Sequence, residues 1–257
     1  MEAMMGIADF KSRMLAGELL AGTFLKTASY ELVEVLAQSE LDFLCLDAEH
    51  APFDRARLDA CLAIARALDF PVLVRPASAS PENILQALDS GAVGIVAPHC
   101  YSADKAAEVA RAGHFGLGGR GYAGSSRWAG FATRAMSDVM AQDDQTVMIA
   151  QIEEPEGVDE VDAIAATPGI DGIFIGPADL SVGYGKTSQD SPELMAAFES
   201  CGAAAAKHGK AYMTFVANAA GAEKVRKYGI SMFFIASEHS WMRAGATADA
   251  KGVHGLT

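Results

Sequence analysis

Eight short apolar runs recur along this chain, each followed by a polar break and then by an amphipathic segment with helix caps. No other feature limits the fold as much. The runs are GTFLK (22–26), FLCLD (43–47), VLVR (72–75), VGIVAP (93–98), VMIAQIE (147–153), GIFIGP (172–177), AYMTFV (211–216) and MFFIAS (232–237). Uninterrupted apolar runs of this length suit strands covered on both faces, as in a parallel sheet. Between them, Leu58, Cys61, Leu62 and Ala65 form one helical stripe. Ser80-Pro81 and Ser191-Pro192 have the form of N-cap and first-turn pairs, and Gly113, Gly209 and Gly229 stand where helices should end. Eight β/α units in 257 residues predict an α/β fold, a (β/α)8 TIM barrel. A doubly wound sheet usually has fewer strands and leaves room for a second domain.

The expected organisation is a single barrel domain over residues 1–257, with an N-terminal helix and a long connection between strands 4 and 5, about 99–146. That connection should hold a helix from about Ser102, a glycine-rich loop GHFGLGGRGYAGSSRWAG (113–130) and a second helix near Ala135 to Ala141. Loops of such length are usually lids or interface elements. GLGGRG (116–121) satisfies a dinucleotide-binding spacing, but no strand run leads into it, and it reads as loop flexibility. GYGKT (183–187) fails the P-loop pattern because Leu180 occupies the first glycine position.

Charge excludes several partners. With 33 acidic and 20 basic residues the net charge is −13, which repels phosphate backbones and anionic lipid, so neither nucleic acid nor membrane is an expected partner. No apolar run reaches transmembrane length, and MEAMMGIADFKSRM lacks the regions of a signal peptide, so a cytoplasmic protein is expected. Cys45, Cys61, Cys100 and Cys201 have no CxxC spacing and read as reduced packing residues.

A barrel of this kind works at the C-terminal ends of its strands. The exits here carry Asp47, Glu49 and His50, then Arg75, His99, Gln151, Glu153 and Asp179. Any one of them has an ordinary structural explanation, but together they crowd one rim. Glu153 and Asp179 leave adjacent strands, and two oxygen ligands with room for water and substrate suit Mg2+ or Mn2+ rather than structural zinc. Such an ion can chelate a 2-oxoacid and stabilise the enolate formed when a C3 proton leaves. Arg75 adds a second cation for that oxyanion. His50 is the expected base, acting directly or through a metal-bound water, with Asp47 orienting its ring and Glu49 in a supporting place. Lys26, ending strand 1 on the same rim, keeps a Schiff-base mechanism open as an alternative.

GTFLK, LDAEHAP, VLVRP, LDSGAVGIVAPH, RGYAG, AQIEEPEGV and IFIGPADLSVGYG, in this order, resemble the metal-dependent class II pyruvate aldolases of the HpcH/HpaI aldolase/citrate lyase family. The resemblance implies a barrel of the phosphoenolpyruvate/pyruvate superfamily that assembles as a homohexamer, often a trimer of dimers. It implies Glu153 and Asp179 as ligands of Mg2+ or Mn2+, with Co2+ a further option, His50 and Asp47 as the acid/base pair, and Arg75 as the enolate-stabilising group. It gives Gln151 and the backbone of Gly176, Pro177 and Ala178 to the 2-oxoacid, and matches Asp89 to an aspartate that reaches the catalytic histidine of a neighbouring subunit. Ala48 departs from the glycine common inside D-x-E-H, and Cys100 from the aliphatic residue that often follows the strand 4 histidine. The expected activity is reversible cleavage of a 4-hydroxy-2-oxoacid to pyruvate, or hydroxypyruvate, and an aldehyde. Acyl-CoA lyase chemistry and a non-catalytic 2-oxoacid-binding barrel are the other readings.

Overall fold

Burial on both faces, implied by the unbroken apolar runs, is what the strands experience. The computed structural model describes residues 6–256. In chain order its elements are α1 (Phe10–Leu15), β1 (Leu20–Leu25), α2 (Tyr30–Leu36), β2 (Phe43–Asp47), α3 (Arg55–Ala67), β3 (Val72–Arg75), α4 (Pro81–Asp89), β4 (Gly94–Ala97), α5 (Ala103–Gly113), α6 (Met136–Gln142), β5 (Val147–Ile152), α7 (Pro155–Asp159), α8 (Val161–Ala166), β6 (Gly172–Ile175), α9 (Pro177–Gly183), α10 (Pro192–Lys207), β7 (Ala211–Val216), α11 (Ala219–Arg226), β8 (Met232–Ser237) and α12 (Glu238–His254). Each strand pairs in parallel with its sequence neighbour, and β8 returns to β1, closing an eight-stranded barrel.

Alternation along the strands sorts the core into two layers. Phe24, Phe43, Cys45, Leu73, Ile149, Phe174, Met213 and Phe234 point into the barrel, while Leu44, Leu46, Val72, Val74, Met148, Ala150 and Ile152 pack outward under the helices. The interior is an aromatic stack: Phe234 lies 4.9 Å from each of Phe24, Phe43 and Phe174, centroid to centroid. Phe10 and Met14 of α1 join it, with Phe10 5.8 Å from Phe43. The same parity carries past the apolar residues: Lys26 follows Phe24 by two, Asp47 follows Cys45, Arg75 follows Leu73, and Gln151 and Glu153 follow Ile149. The polar residues at these exits therefore continue the interior face of the barrel.

The caps do what their spacing predicts. Ser80 and Ser191 accept from the backbone N–H groups of Asn83 (3.4 Å) and Leu194 (3.2 Å). Gly209 and Gly229 take left-handed φ values of 62° and 91° just past α10 and α11. Gly113 differs: it stays inside α5, and a Cβ there would stand 2.3 Å from the sulfur of Met148, so close approach to β5 is what requires glycine. At the opposite mouth from the rim, Asp42 and Asp171 accept the N–H groups of Ala21 (2.8 Å) and Met148 (2.9 Å), pinning the starts of β1 and β5.

The long connection is built rather than loose. Phe115 and Arg120 form an isolated bridge, and the Arg120 guanidinium lies 4.7 Å from the Phe115 ring centroid and 4.8 Å from that of Trp128. GLGGRG follows a helix, not a strand, as the loop reading expects. The second helix falls at Met136–Gln142, one residue from the expected position. Among the described residues no helix is long and apolar enough to cross a membrane.

Candidate active site

Asp47 is the innermost charge of the rim. Its carboxylate is fully buried and accepts from Arg75 Nε (3.0 Å) and Nη2 (2.8 Å), from the Lys26 ammonium (2.9 Å) and from the backbone N–H of His50 (3.2 Å). Burial pushes the Asp47 carboxyl upward, but the Arg75 fork and then Lys26 outweigh it and hold it below the usual carboxylate range. The expected dyad is thus corrected in one respect. Asp47 holds the His50 backbone, not its ring, because both carboxylate oxygens are already claimed by two cations. The His50 ring is half exposed, with Nε2 3.7 Å from Glu49 Oε2, beyond hydrogen-bond range.

Arg75 is the plane on which the site rests. Its guanidinium carbon lies 4.4 Å from the centroid of Phe24, the top ring of the interior stack, and Nε is 3.2 Å from Glu49 Oε2. Burial works against its charge, but the hydrogen bonds and charge of Asp47, with Glu49 behind them, raise its pKa above the ordinary arginine value. Lys26, the alternative nucleophile, has its Nζ 2.9 Å from Asp47 Oδ2.

The second half of the rim centres on Glu153, whose side chain is 3% exposed. It accepts the backbone N–H of His99 at 2.8 Å and the side-chain amide of Gln151. Burial, with Glu49 adding to it, raises the Glu153 pKa despite those two hydrogen bonds. Glycine at position 176 makes room: a Cβ there would lie 3.0 Å from Glu153 Cβ. Gln151 Oε1 is buried without a partner. Asp179 stands exposed in the first turn of α9.

A cavity of about 210 Å³ joins the two halves, lined by Phe24, Lys26, His50, Arg75, Gln151, Phe174, Gly176, Pro177, Ala178 and Asp179, with Phe215, Ala236, Ser237 and Ser240 behind. Glu238 fixes the wall near Lys26, accepting the N–H groups of Lys26 (3.0 Å) and Thr27 (2.6 Å). Asp89 is elsewhere. It ends α4, accepts Arg120 Nη2 at 2.6 Å and borders a surface hollow with Arg55, Asp59, Ser125 and Arg127, so within one chain it does not meet His50.

The sequence pattern of the HpcH/HpaI aldolase/citrate lyase family matches residues 20–243. The chain belongs to that family. Within it, this barrel is 34% identical over 240 residues to a hydroxypyruvate/pyruvate aldolase of Paraburkholderia phytofirmans, covering 90% of this chain and 92% of that one. It is 33% identical over 232 residues to a 5-keto-4-deoxy-D-glucarate aldolase of Klebsiella pneumoniae, covering 89% and 90%. Among solved structures, an HpcH/HpaI aldolase/citrate lyase family protein from Burkholderia cenocepacia superposes with a TM-score of 0.90 at 32% identity, covering 96% of this chain and all of that one. Membership in this family of aldolases and lyases makes the HpcH/HpaI barrel an enzyme.

Sequence reasoning passed over the part played by two residues of this HpcH/HpaI rim. His99 was visible at the exit of β4 but carried no role. Its left-handed φ of 55° turns the ring out of strand parity, so that Nδ1 meets Glu154 Oε1 at 2.5 Å and Nε2 meets Glu49 Oε1 at 3.3 Å. Glu49 was given only a supporting place, yet Glu49, His99 and Glu153 offer three metal-ligand atoms all within 4.8 Å of one another. A histidine directly after Ala97-Pro98 at a strand end was the available signal.

Proposed function

We propose that this enzyme is a divalent-metal-dependent aldolase that reversibly cleaves a 4-hydroxy-2-oxoacid into pyruvate, or hydroxypyruvate, and an aldehyde. The observation that carries this reading is the cavity at the C-terminal mouth, where an exposed imidazole, a fixed guanidinium, a free amide oxygen and a carboxylate face the same small volume. Relatives that act as hydroxypyruvate/pyruvate and 5-keto-4-deoxy-D-glucarate aldolases support the substrate class.

Glu153 and Asp179 are the residues proposed to hold Mg2+, Mn2+ or Co2+. The donor set fits: Glu153 is a carboxylate with a 3% exposed side chain beside the buried, unpartnered Oε1 of Gln151, and hard oxygen ligands suit such ions. When bound, the ion supplies Lewis-acid stabilisation of negative charge on the 2-oxo group. Gln151 and the backbone of Gly176, Pro177 and Ala178 form the wall against which the 2-oxoacid is seated. Arg75 cannot swing away, because Asp47 and the Phe24 face fix its plane, and it presents a permanent positive charge where the oxyanion develops. Asp47 acts on the reaction through Arg75 and through the backbone that places His50.

His50 is the proposed base. In the cleavage direction it takes the proton of the 4-hydroxyl, directly or through a water. The C3–C4 bond breaks, its electron pair is delocalised into the 2-oxo group, the aldehyde departs, and C3 then takes up a proton. Asp89 is proposed to serve across a subunit boundary of a homohexamer, with the cytoplasm as the place of work.

Exchange of pyruvate methyl protons in D2O tests the reading. Exchange should require the divalent ion, stop with EDTA, return with Mg2+ or Mn2+, and slow about 10²- to 10⁴-fold in His50→Ala while metal binding persists. Undiminished exchange in His50→Ala would remove the base assignment. No exchange in the loaded wild type would leave a binder without turnover, and borohydride trapping of pyruvate on Lys26 would substitute the Schiff-base mechanism.

A further inference from the structure

We propose that a cavity on the strand-entry side of the barrel, lined by Arg66, Asp69, Trp128, Gln142 and Gln145, is a second ligand site and takes a small hydroxycarboxylate. It lies away from the catalytic mouth. Arg66 is in the last turn of α3, Val93 on the cavity wall directly precedes β4, and Gln145 stands just before β5. Its volume of about 300 Å³ accommodates an acid of a few carbons.

Arg66 carries the argument. Its Nη1 reaches Gly91 O at 3.5 Å, and among the described residues neither Nε nor Nη2 has an acceptor. Those two N–H groups form the edge with which a guanidinium grips a carboxylate through parallel bonds, the same edge that Arg75 gives to Asp47. The side chain is also seated. Gly91 holds φ 111°, and a Cβ there would stand 2.6 Å from Arg66 Cδ and 3.0 Å from Arg127 Cδ, so the stems of two arginines lie across a glycine.

Positive charge is in surplus around this edge. Arg134 donates to Gln142 Oε1 and to Asp138 O (3.1 Å) rather than to a carboxylate, and of the three arginines Arg127 alone is paired among the described residues, with Asp59 at 2.9 Å. Burial and then the charges of Arg134 and Arg127 hold Arg66 below the ordinary arginine value, with Asp69 opposing them. In a chain of net charge −13, three arginines gathered at one cavity mark a place that favours an anion.

The neutral groups narrow the ligand further. With its oxygen given to Arg134, Gln142 has its amide N–H2 left to donate, and the Gln145 side chain has no partner among the described residues. Asp69 supplies the opposite polarity. Its Oδ1 accepts the N–H of Ile7 at 3.1 Å, which keeps the carboxylate at the cavity edge. There it accepts from a ligand hydroxyl and repels a second negative charge, so a singly charged hydroxyacid is favoured over phosphate or a dicarboxylate.

Trp128 in the cavity wall supplies the readout. In a Trp241→Phe background it is the chain's only tryptophan, and the full-length, metal-loaded protein is titrated with 3-hydroxybutyrate, butyrate and phosphate. Emission should change saturably with one equivalent of 3-hydroxybutyrate bound, and butyrate, lacking the hydroxyl, should bind about 2- to 10-fold more weakly. Arg66→Gln should weaken binding about tenfold or more without rescue by Arg66→Lys, while pyruvate proton exchange is unchanged. Asp69→Asn, which tolerates the left-handed φ of 52°, should improve phosphate binding. Thermal melts check folding, and if Arg66→Gln does not fold, Gln145→Ala at an exposed position should weaken binding about 2- to 10-fold. No saturable change, a response to phosphate alone, or a response that survives both Arg66→Gln and Gln145→Ala overturns the proposal. So does a response lost in Arg75→Lys and kept in Arg66→Gln, which would place the ligand at the catalytic mouth.

Discussion

At the scale of single residues, Asp47 is the junction of the rim. Replacing it with asparagine leaves Arg75 and Lys26 buried or half-buried beside a neutral group, and the stability cost of breaking such a pair is about 3–5 kcal/mol. The pH dependence has a defined sign. The folded-state carboxyl lies below its unfolded value of about 3.9, so its stabilisation is complete above that value and disappears as pH falls through the folded one. Thermal melts below about pH 4 should therefore show a steeper loss in wild type than in Asp47→Asn. Arg75→Lys tests the planar fork. A lysine retains the charge but cannot bond both Asp47 oxygens while lying over Phe24, and kcat for aldol cleavage should fall about 10²- to 10³-fold with the fold intact. Most of these residues were legible in the sequence because they stand at the strand exits. The partner of Asp47 was not, since parity puts Lys26, Asp47 and Arg75 on one face without saying which charge the buried carboxylate will select.

At the scale of elements, the junction between β6 and α9 sets the position of Glu153. An alanine at Gly176 would place its methyl 3.0 Å from Glu153 Cβ, closer than ordinary contact, with backbone torsions that alanine accepts. The neighbour must give by a few tenths of an ångström. Gly176→Ala should therefore keep its melting temperature within a few degrees, about 1 kcal/mol, while metal-dependent turnover falls at least severalfold, read by Mn2+ titration beside activity. The motif I-G-P-A-D at this junction was readable in advance. The turn at His99 was not. A non-glycine residue in the left-handed region has no strong sequence signature, and the torsion goes with an N–H bond to Glu153, just past the next strand. The long connection shows the same division: its helices were predictable from periodicity, whereas the burial of Arg120 between Phe115 and Trp128 depends on a chain reversal that spacing does not encode.

For the whole molecule, the interior stack of Phe24, Phe43, Phe174 and Phe234 joins the α1 end of the barrel to the catalytic mouth. Phe234 touches the other three, so Phe234→Ala should cost about 3–5 kcal/mol in denaturant melts and loosen the support under Arg75, lowering activity in the folded fraction as well. The amino-acid sequence by itself determined the eight strands and the rim on which charge would collect. Those follow from local periodicity and from the cost of exposing apolar runs, which act along the chain. Tertiary structure alone decided which charges pair, that His99 and Glu49 join Glu153, and that Asp89 lies away from His50 in the same chain. Such choices depend on distances between strands brought together by barrel closure, and at a few ångströms electrostatic and hydrogen-bond energies change faster than any sequence spacing can specify.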